Sequence, residues 1–332
     1  MFDSHGRCIR YLRISVTDRC NLRCIYCMSE RRICLSDLEH ILTYEEIERV
    51  VRIATSLEIG FIRLTGGEPL VRREVCSLVK RLSRIPGLTD LSLTTNGTLL
   101  EPLASSLQKA GLKRVNISLD TLDEGRFSCL TRGGDLSCVR AGIYAALNAG
   151  LEPVKINVVL FADENGEPPE NDILGFAEMS RNLPLHVRFI EWMPAFGEYQ
   201  HNGGDGRDAM KPLSENWAKK VLSRLGKLYP YSGPVSGGPA RYFRYAGAAG
   251  SIGFIAPLSA PFCGECSRLR LTSTGKLRSC LLHDGEVDLR RPMRNGATDA
   301  EIVALFLRAA QQKPASYSPE AASSASMSWI GG

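Results

Sequence analysis

The sequence predicts an α/β fold, a parallel sheet or barrel in which strands and helices alternate. Three observations predict it. A unit recurs through the first 190 residues, in which an amphipathic stretch ends in glycine and a short apolar strand follows. Six such strands can be placed, and polar residues gather at their ends.

The first strand, 10–16, runs straight into a cysteine-rich segment. Thr43-x-x-Glu46 has the pattern of a capping box and opens the first helix. That helix closes at Leu57-Glu58-Ile59-Gly60, ahead of the strand 61–65. A third strand is expected at 91–95. Lys109-Ala110-Gly111 then leads into 114–119, and Asn148-Ala149-Gly150 into 154–160. The last strand of the series is 186–191. Each glycine fits the left-handed position that ends a helix.

The strand ends read Thr65-Gly66-Gly67-Glu68-Pro69, Thr94-Thr95-Asn96-Gly97, Ser118-Leu119-Asp120, Lys155-Ile156-Asn157 and Arg188-Phe189-Ile190-Glu191-Trp192-Met193. In a parallel barrel the C-terminal strand ends share one face, so these groups are expected around one pocket. Taken singly, each could instead be the N-cap of the helix that follows. After residue 195 the pattern changes. Segments 197–210 and 232–250 read as loops, 241–295 as a second unit, and 313–328 as a loosely held tail rich in Ser, Ala and Pro.

Hydrophobic residues make up 44% of the 332 and charged residues 23%, which describes an ordinary globular protein. The net charge of +5 comes with no dense basic run, which argues against nucleic-acid binding and for a local anion pocket. No apolar run approaches membrane-spanning length. Eleven cysteines without an apolar leader point to a reduced, cytoplasmic setting. Six of them form two triplets. The others (Cys8, Cys34, Cys76, Cys129, Cys138) are expected to be small buried hydrophobes.

The triplets carry the chemistry. Cys20-x3-Cys24-x2-Cys27 follows the first strand, and Cys263-x2-Cys266 is completed by Cys280. Each has three ligands, one short of a closed zinc or iron–sulfur site, which leaves a metal position open. The x3, x2 spacing with Tyr26 before the last cysteine is the signature of radical S-adenosylmethionine (SAM) enzymes; a structural zinc knuckle is the alternative. Gly66-Gly67-Glu68-Pro69 supports the first reading. Paired glycines let backbone approach a ligand, and Glu68 can accept from an ammonium. Near the second triplet, Arg268 and Arg270 alternate along a strand and form an anion clamp, or else a solvated surface pair. His283 is a candidate fourth ligand.

With both triplets, Phe262-Cys263-x2-Cys266-x-Arg268-Leu269-Arg270-Leu271 and a final Gly331-Gly332, the chain resembles the GTP 3′,8-cyclase family, which opens molybdenum-cofactor biosynthesis. The resemblance runs from Leu12-Arg13-Ile14-Ser15 to the last residue. It implies an incomplete (β/α)6 radical SAM barrel with a C-terminal region closing the open side. The expected division is 1–240 for the barrel and 241–332 for the C-terminal region with the second cluster, GTP site and tail.

It also implies residue roles. Cys20, Cys24 and Cys27 would hold a [4Fe-4S] cluster that chelates SAM, with Tyr26, Gly67, Ser118 and Met193 in contact with SAM. Cys263, Cys266 and Cys280 would hold a second [4Fe-4S] cluster facing the guanine of GTP. Arg13, Arg63, Thr94, Lys155, Arg268 and Arg270 would line the GTP site, and the five cations among them can offset the roughly four negative charges of a triphosphate. The Gly331-Gly332 tail would reach into the site. The expected reaction is hydrogen abstraction at C3′ of GTP followed by bonding to C8. An external electron donor, hand-over of product to cyclic pyranopterin monophosphate synthase and a homodimer are implied with it, and neither nucleic acid nor membrane. The chain departs from the family pattern at Ser29-Glu30-Arg31-Arg32, at Ser267 and in segment 161–172, and none of these removes an expected ligand. Two other readings stay open: a different radical SAM enzyme with an auxiliary cluster, such as a peptide-maturing one, and a non-catalytic iron–sulfur electron carrier.

Overall fold

The computed structural model describes residues 1–27, 35–162, 166–193, 211–234 and 238–316. Its first half alternates strand and helix: β1 (Tyr11–Ser15), α1 (Tyr44–Ser56), β2 (Phe61–Thr65), α2 (Val75–Leu82), β3 (Asp90–Thr95), α3 (Ala104–Lys109), β4 (Arg114–Ser118), α4 (Glu124–Thr131), α5 (Leu136–Asn148), β5 (Val154–Leu160), α6 (Glu170–Asn182) and β6 (Leu185–Glu191). Beyond it come α7 (Glu215–Leu222), β7 (Leu228–Tyr231), β8 (Arg241–Tyr245), β9 (Ser251–Ile255), β10 (Arg268–Leu271), β11 (Lys276–Arg278), β12 (Glu286–Asp288), α8 (Arg290–Arg294) and α9 (Asp299–Gln311). Each of the six expected strands is present within one residue at either end.

All twelve strands form one sheet in the order β12-β11-β10-β1-β2-β3-β4-β5-β6-β9-β8-β7. From β10 through β9 the pairing is parallel, while β11 with β12 and β7 with β8 add antiparallel ribbons at the two edges. The barrel is therefore partial, because β9 and β10 are not hydrogen-bonded to each other. The C-terminal region extends both edges of the six-stranded barrel rather than capping one. The segment 232–250 is not all loop: Arg241–Tyr245 forms β8, since alternating Tyr and Phe pair well against β9 despite the surrounding glycines.

Local signals explain the helices. The capping box Thr43/Glu46 is made in both directions, and α1 buries Ile47, Val50, Val51 and Ala54 against the sheet. Gly111 and Gly150 take φ of +107° and +71°, closing α3 and α5 as expected. Gly60 does not. Glu58 takes the left-handed turn after α1, and Gly60 is glycine because a Cβ would meet Thr89 Oγ1 at 2.5 Å.

Candidate active site

The C-terminal ends of β1–β6 define one face. Cys20, Cys24 and Cys27 lie on the loop after β1, each half-buried, and the loop is held by main-chain bonds: Arg23 and Ile25 N–H to the carbonyls of Thr131 and Leu130 (3.1 and 2.9 Å), and Cys27 N–H to Cys24 (3.0 Å). Asn96, after β3, donates to Asn21 (2.9 Å) and reaches the Cys20 Sγ at 3.8 Å. A cavity joins Cys24, Tyr26, Asn96, Ser118, Asp120 and Thr121, so the loop after β1 and the end of β4 share one space. The Tyr26 hydroxyl donates to the Asp120 carboxylate, whose other oxygen accepts Val159 N–H at 2.8 Å. Met193 follows β6 on the same face and is half-buried.

Gly66 and Gly67 are also required by the packing of the chain on itself. A Cβ on Gly67 would sit 2.4 Å from the Arg19 carbonyl oxygen, and one on Gly66 would sit 2.6 Å from that of Thr17. The amides of Gly67 and Glu68 donate to those same carbonyls at 2.8 Å each. The pair thus locks the strand that feeds the first triplet. Glu68 is fully buried and accepts from Leu70 N, Asn96 N and the Thr95 hydroxyl at 3.0, 2.7 and 2.8 Å. Burial pushes its pKa up to about 7. It ties β2 to β3, with Oε1 accepting twice and Oε2 once.

The second triplet lies at the opposite end. Cys263 and Cys266 precede β10, whose first residue, Arg268, is level with Tyr11 at the start of β1. Cys280 follows β11, which runs back antiparallel and pairs Arg278 with Arg270. A strand rises about 3.3 Å per residue, so the five residues of β1 separate the two ends by about 13 Å.

Cations fill the sheet's inner rows between them. Arg270 pairs with Arg13, and Arg13 with Arg63, as direct cross-strand neighbours. Lys155 pairs with Asn116 and His186, and Asn116 with Thr94. Lys155 is the second residue of β5, so it belongs to the barrel interior and not to a C-terminal strand end. Lys155 is fully buried, Arg63 and Arg270 nearly so, and Arg13 and Thr94 are half-buried. Arg188 on β6 joins this set, buried and donating to Asn116 Oδ1 at 2.7 Å; the sequence reading did not single it out as a ligand. Its signal was an arginine within the apolar run of β6.

Like charges directly opposite one another are unfavourable, and the titration of the groups shows it. Burial, then Arg270, Arg63 and Arg268, hold the Arg13 pKa well below its usual range. Arg63 is lowered to about 10 by burial, and Arg270 to about 9 by burial and Arg268. Burial, then Arg188, Arg114 and Arg63, bring Lys155 to about 6. Ser92 and the Tyr11 ring lie against the Arg63 side chain, and Asn116 accepts from Arg188. The row concentrates positive charge in the barrel interior, a setting that attracts anions.

The cysteines fit soft metal cores by their chemistry. At the first triplet, burial and the neighbouring Cys27 and Asp120 push the Cys24 thiol well up, so three thiolates there need a cationic core. At the second, burial is overcome by Arg268 and Lys313, and Cys266 falls to about 6, a thiolate at neutral pH. His283 does not reach for a metal; its Nδ1 accepts Gly285 N–H at 3.1 Å. Lys313, expected in the loose tail, is 3% exposed beside this triplet. Among the scattered cysteines Cys129 is exposed and Cys8, Cys76 and Cys138 are half-buried, so none is a core residue; Cys34 lies outside the described residues. Gly331 and Gly332, segment 197–210 and most of the expected tail also lie outside them. No described helix is long and apolar enough to cross a membrane.

Residues 14–174 match the model of the Radical SAM superfamily, and 185–319 match that named Molybdenum Cofactor Synthesis C. The chain is 50% identical over 320 residues to the GTP 3′,8-cyclase of Moorella thermoacetica, covering 96% of each. It is 48% identical to that of Pelotomaculum thermopropionicum over 95% of this chain and 94% of the relative. With the GTP 3′,8-cyclase of Thermodesulfovibrio yellowstonii it shares 45% identity over the whole of both. Among solved structures, Streptococcus suis SuiB bound to S-adenosylmethionine superposes with a TM-score of 0.58 at 14% identity, over 90% of this chain and 68% of that one, a likeness of fold.

Proposed function

Because the chain belongs to the GTP 3′,8-cyclase family, we infer that its barrel is the active site of a radical SAM enzyme that cyclises GTP between C3′ and C8, the first step of molybdenum-cofactor biosynthesis. One observation carries the reading: a row of buried cations lies between two cysteine triplets at opposite ends of the parallel strands.

Cys20, Cys24 and Cys27 would hold the cluster that binds SAM, and Cys263, Cys266 and Cys280 the second. When bound, the first cluster and SAM supply the one-electron chemistry that opens the C3′–H bond. The protein's part is binding and orientation. Tyr26, Gly67, Ser118 and Met193 surround the SAM position; Gly67 does so by fixing the Thr17–Arg19 backbone. Arg13, Arg63, Lys155 and Arg188 clamp the triphosphate, helped by Thr94, and Arg268 and Arg270 hold the end of GTP nearer the second triplet. Burial of this row excludes water that would quench a carbon radical. The tail residues Gly331 and Gly332 are assigned to positioning GTP for ring closure. The electron donor is external, the product passes to cyclic pyranopterin monophosphate synthase, and the protein works in the cytoplasm. The division at residue 240 separates the barrel unit from the unit that supplies the second triplet.

Anaerobic incubation with SAM, GTP and reductant tests the reading. Cyclised GTP, identified by mass and by loss of the C3′ hydrogen, is expected together with 5′-deoxyadenosine. SAM cleavage that ignores GTP and yields a modified peptide would favour another radical SAM activity.

A further inference from the structure

Lys313 is the first residue beyond the C-cap of α9, at a point where a lysine normally carries its charge to water. Here it turns inward and is only 3% exposed. Its ammonium donates to the carbonyl of Arg268 at 2.8 Å and to that of Ser279 at 2.5 Å. Arg268 is two residues past Cys266, and Ser279 immediately precedes Cys280. One side chain therefore ties β10 to the turn after β11, and with them two members of the second triplet. Its positive charge also lies close enough to interact with the Cys266 and Cys280 sulfurs. The main chain at Lys313 is fixed in turn. The Arg7 guanidinium donates to the carbonyls of Pro314 and Ala315 (2.7 and 3.2 Å) and to that of Cys263 (2.8 Å), and is itself paired with Asp3 at 2.6 Å.

Both main-chain acceptors of Lys313 are neutral, and burying an ammonium is costly unless negative charge lies nearby. The thiolates of the triplet supply it. Three thiolates around an iron–sulfur core leave excess negative charge, which increases on reduction. A fixed cation in a low-dielectric site then favours the reduced state.

We propose that Lys313 is a positioning residue of the second cysteine triplet, bracing Cys266 against Cys280 and raising the reduction potential of the cluster they hold. This rests on the assignment of that triplet as a cluster site. Arg7 completes the brace at Cys263, so the N-terminal segment and the exit of α9 form one clamp around the three ligands.

The test uses the full-length holoenzyme, loaded anaerobically, with each cluster followed by its own electron paramagnetic resonance signal. In Lys313→Met the midpoint of the second cluster should move to more negative potential, and iron release to a ferrous chelator should quicken several-fold. The first cluster should keep its midpoint. Lys313→Arg, which retains charge, should stay near the parent. Loss of only the second cluster in Lys313→Met would support the brace in its extreme form. Lys313→Gln, which can still donate to carbonyls, then isolates the charge: a parent-like midpoint and release rate in both Lys313→Gln and Lys313→Met would overturn the proposal. A parent enzyme holding only about four irons would instead overturn the assignment of the second triplet itself.

Discussion

Replacing Lys155 with methionine probes the cationic interior through its protons. Lys155 is fully buried, and burial with Arg188, Arg114 and Arg63 brings its pKa down to about 6. In the GTP-free protein at pH 8 it is therefore almost wholly neutral. A bound triphosphate sets negative charge beside it and favours the ammonium, so binding takes up a proton. The last phosphate ionisation lies near pH 6, so above that Lys155 governs the linkage. GTP affinity should weaken by up to about tenfold per pH unit as pH rises. Calorimetry at pH 8 in two buffers of different ionisation enthalpy should give about one proton taken up per GTP in the parent and almost none in Lys155→Met. Folding stability has its own sign. The folded pKa lies below the unfolded value of 10.5, so the unfolded chain binds more protons between about 6 and 10.5. GTP-free stability from this group therefore rises with pH across that window, by up to about 1.4 kcal/mol per unit, and the cost is full below it. Lys155→Met removes that cost, and the GTP-free variant should melt at higher temperature at pH 7.5 while binding GTP more weakly. Binding heats independent of buffer, with a parent affinity flat from pH 7 to 9, would refute the reasoning.

Cys24→Ser should abolish 5′-deoxyadenosine formation, whereas Cys266→Ser should spare SAM cleavage, stop cyclisation and remove about half of the iron; iron assay and product chromatography read both. Arg270→Ala should raise the GTP dissociation constant roughly tenfold or more, because a charge-assisted bond contributes about 1.5–3 kcal/mol, and should leave SAM binding unchanged by calorimetry. Gly67→Ala places a Cβ 2.4 Å from the Arg19 carbonyl oxygen, so the first cluster should assemble poorly while the signal of the second persists. Changing Gly331 and Gly332 together to alanine should reduce cyclised product with both clusters intact; unchanged product formation would remove the tail from the mechanism.

The strands and the two cysteine triplets were legible because their signals are local. A helix-ending glycine before an apolar run needs no distant partner, and x3, x2 cysteine spacing is a property of one loop. What needed coordinates was side-chain destination. Glu68 in Gly-Gly-Glu-Pro reads as a ligand residue, yet it also accepts from Leu70 in its own turn and from Thr95 and Asn96 at the end of β3. Lys313 sits in a stretch whose Ser, Ala and Pro content describes a tail, yet the fold returns it to the sheet. Arg188 lies inside an apolar strand where sequence offers no face to assign. The position of Lys155, low on β5, follows only from register with Asn116 and His186. The C-terminal strands could be counted in part, but their split between two sheet edges is a non-local choice.

That split decides how the site works. Had β10 and β11 joined β6, the two triplets would have lain at opposite edges of the six-stranded barrel. Because β10 instead pairs with β1, the strand that feeds the first triplet also carries Arg13 directly beside Arg270, two residues on from Arg268. The second triplet enters that same strand's opposite end. The repulsion among Arg270, Arg13 and Arg63 is therefore not incidental to the fold; it follows from the register that puts the two metal-binding ends on a common axis. A ligand able to relieve it must be strongly anionic and reach the row that crosses β10, β1 and β2. A nucleoside triphosphate carries such charge on its phosphates.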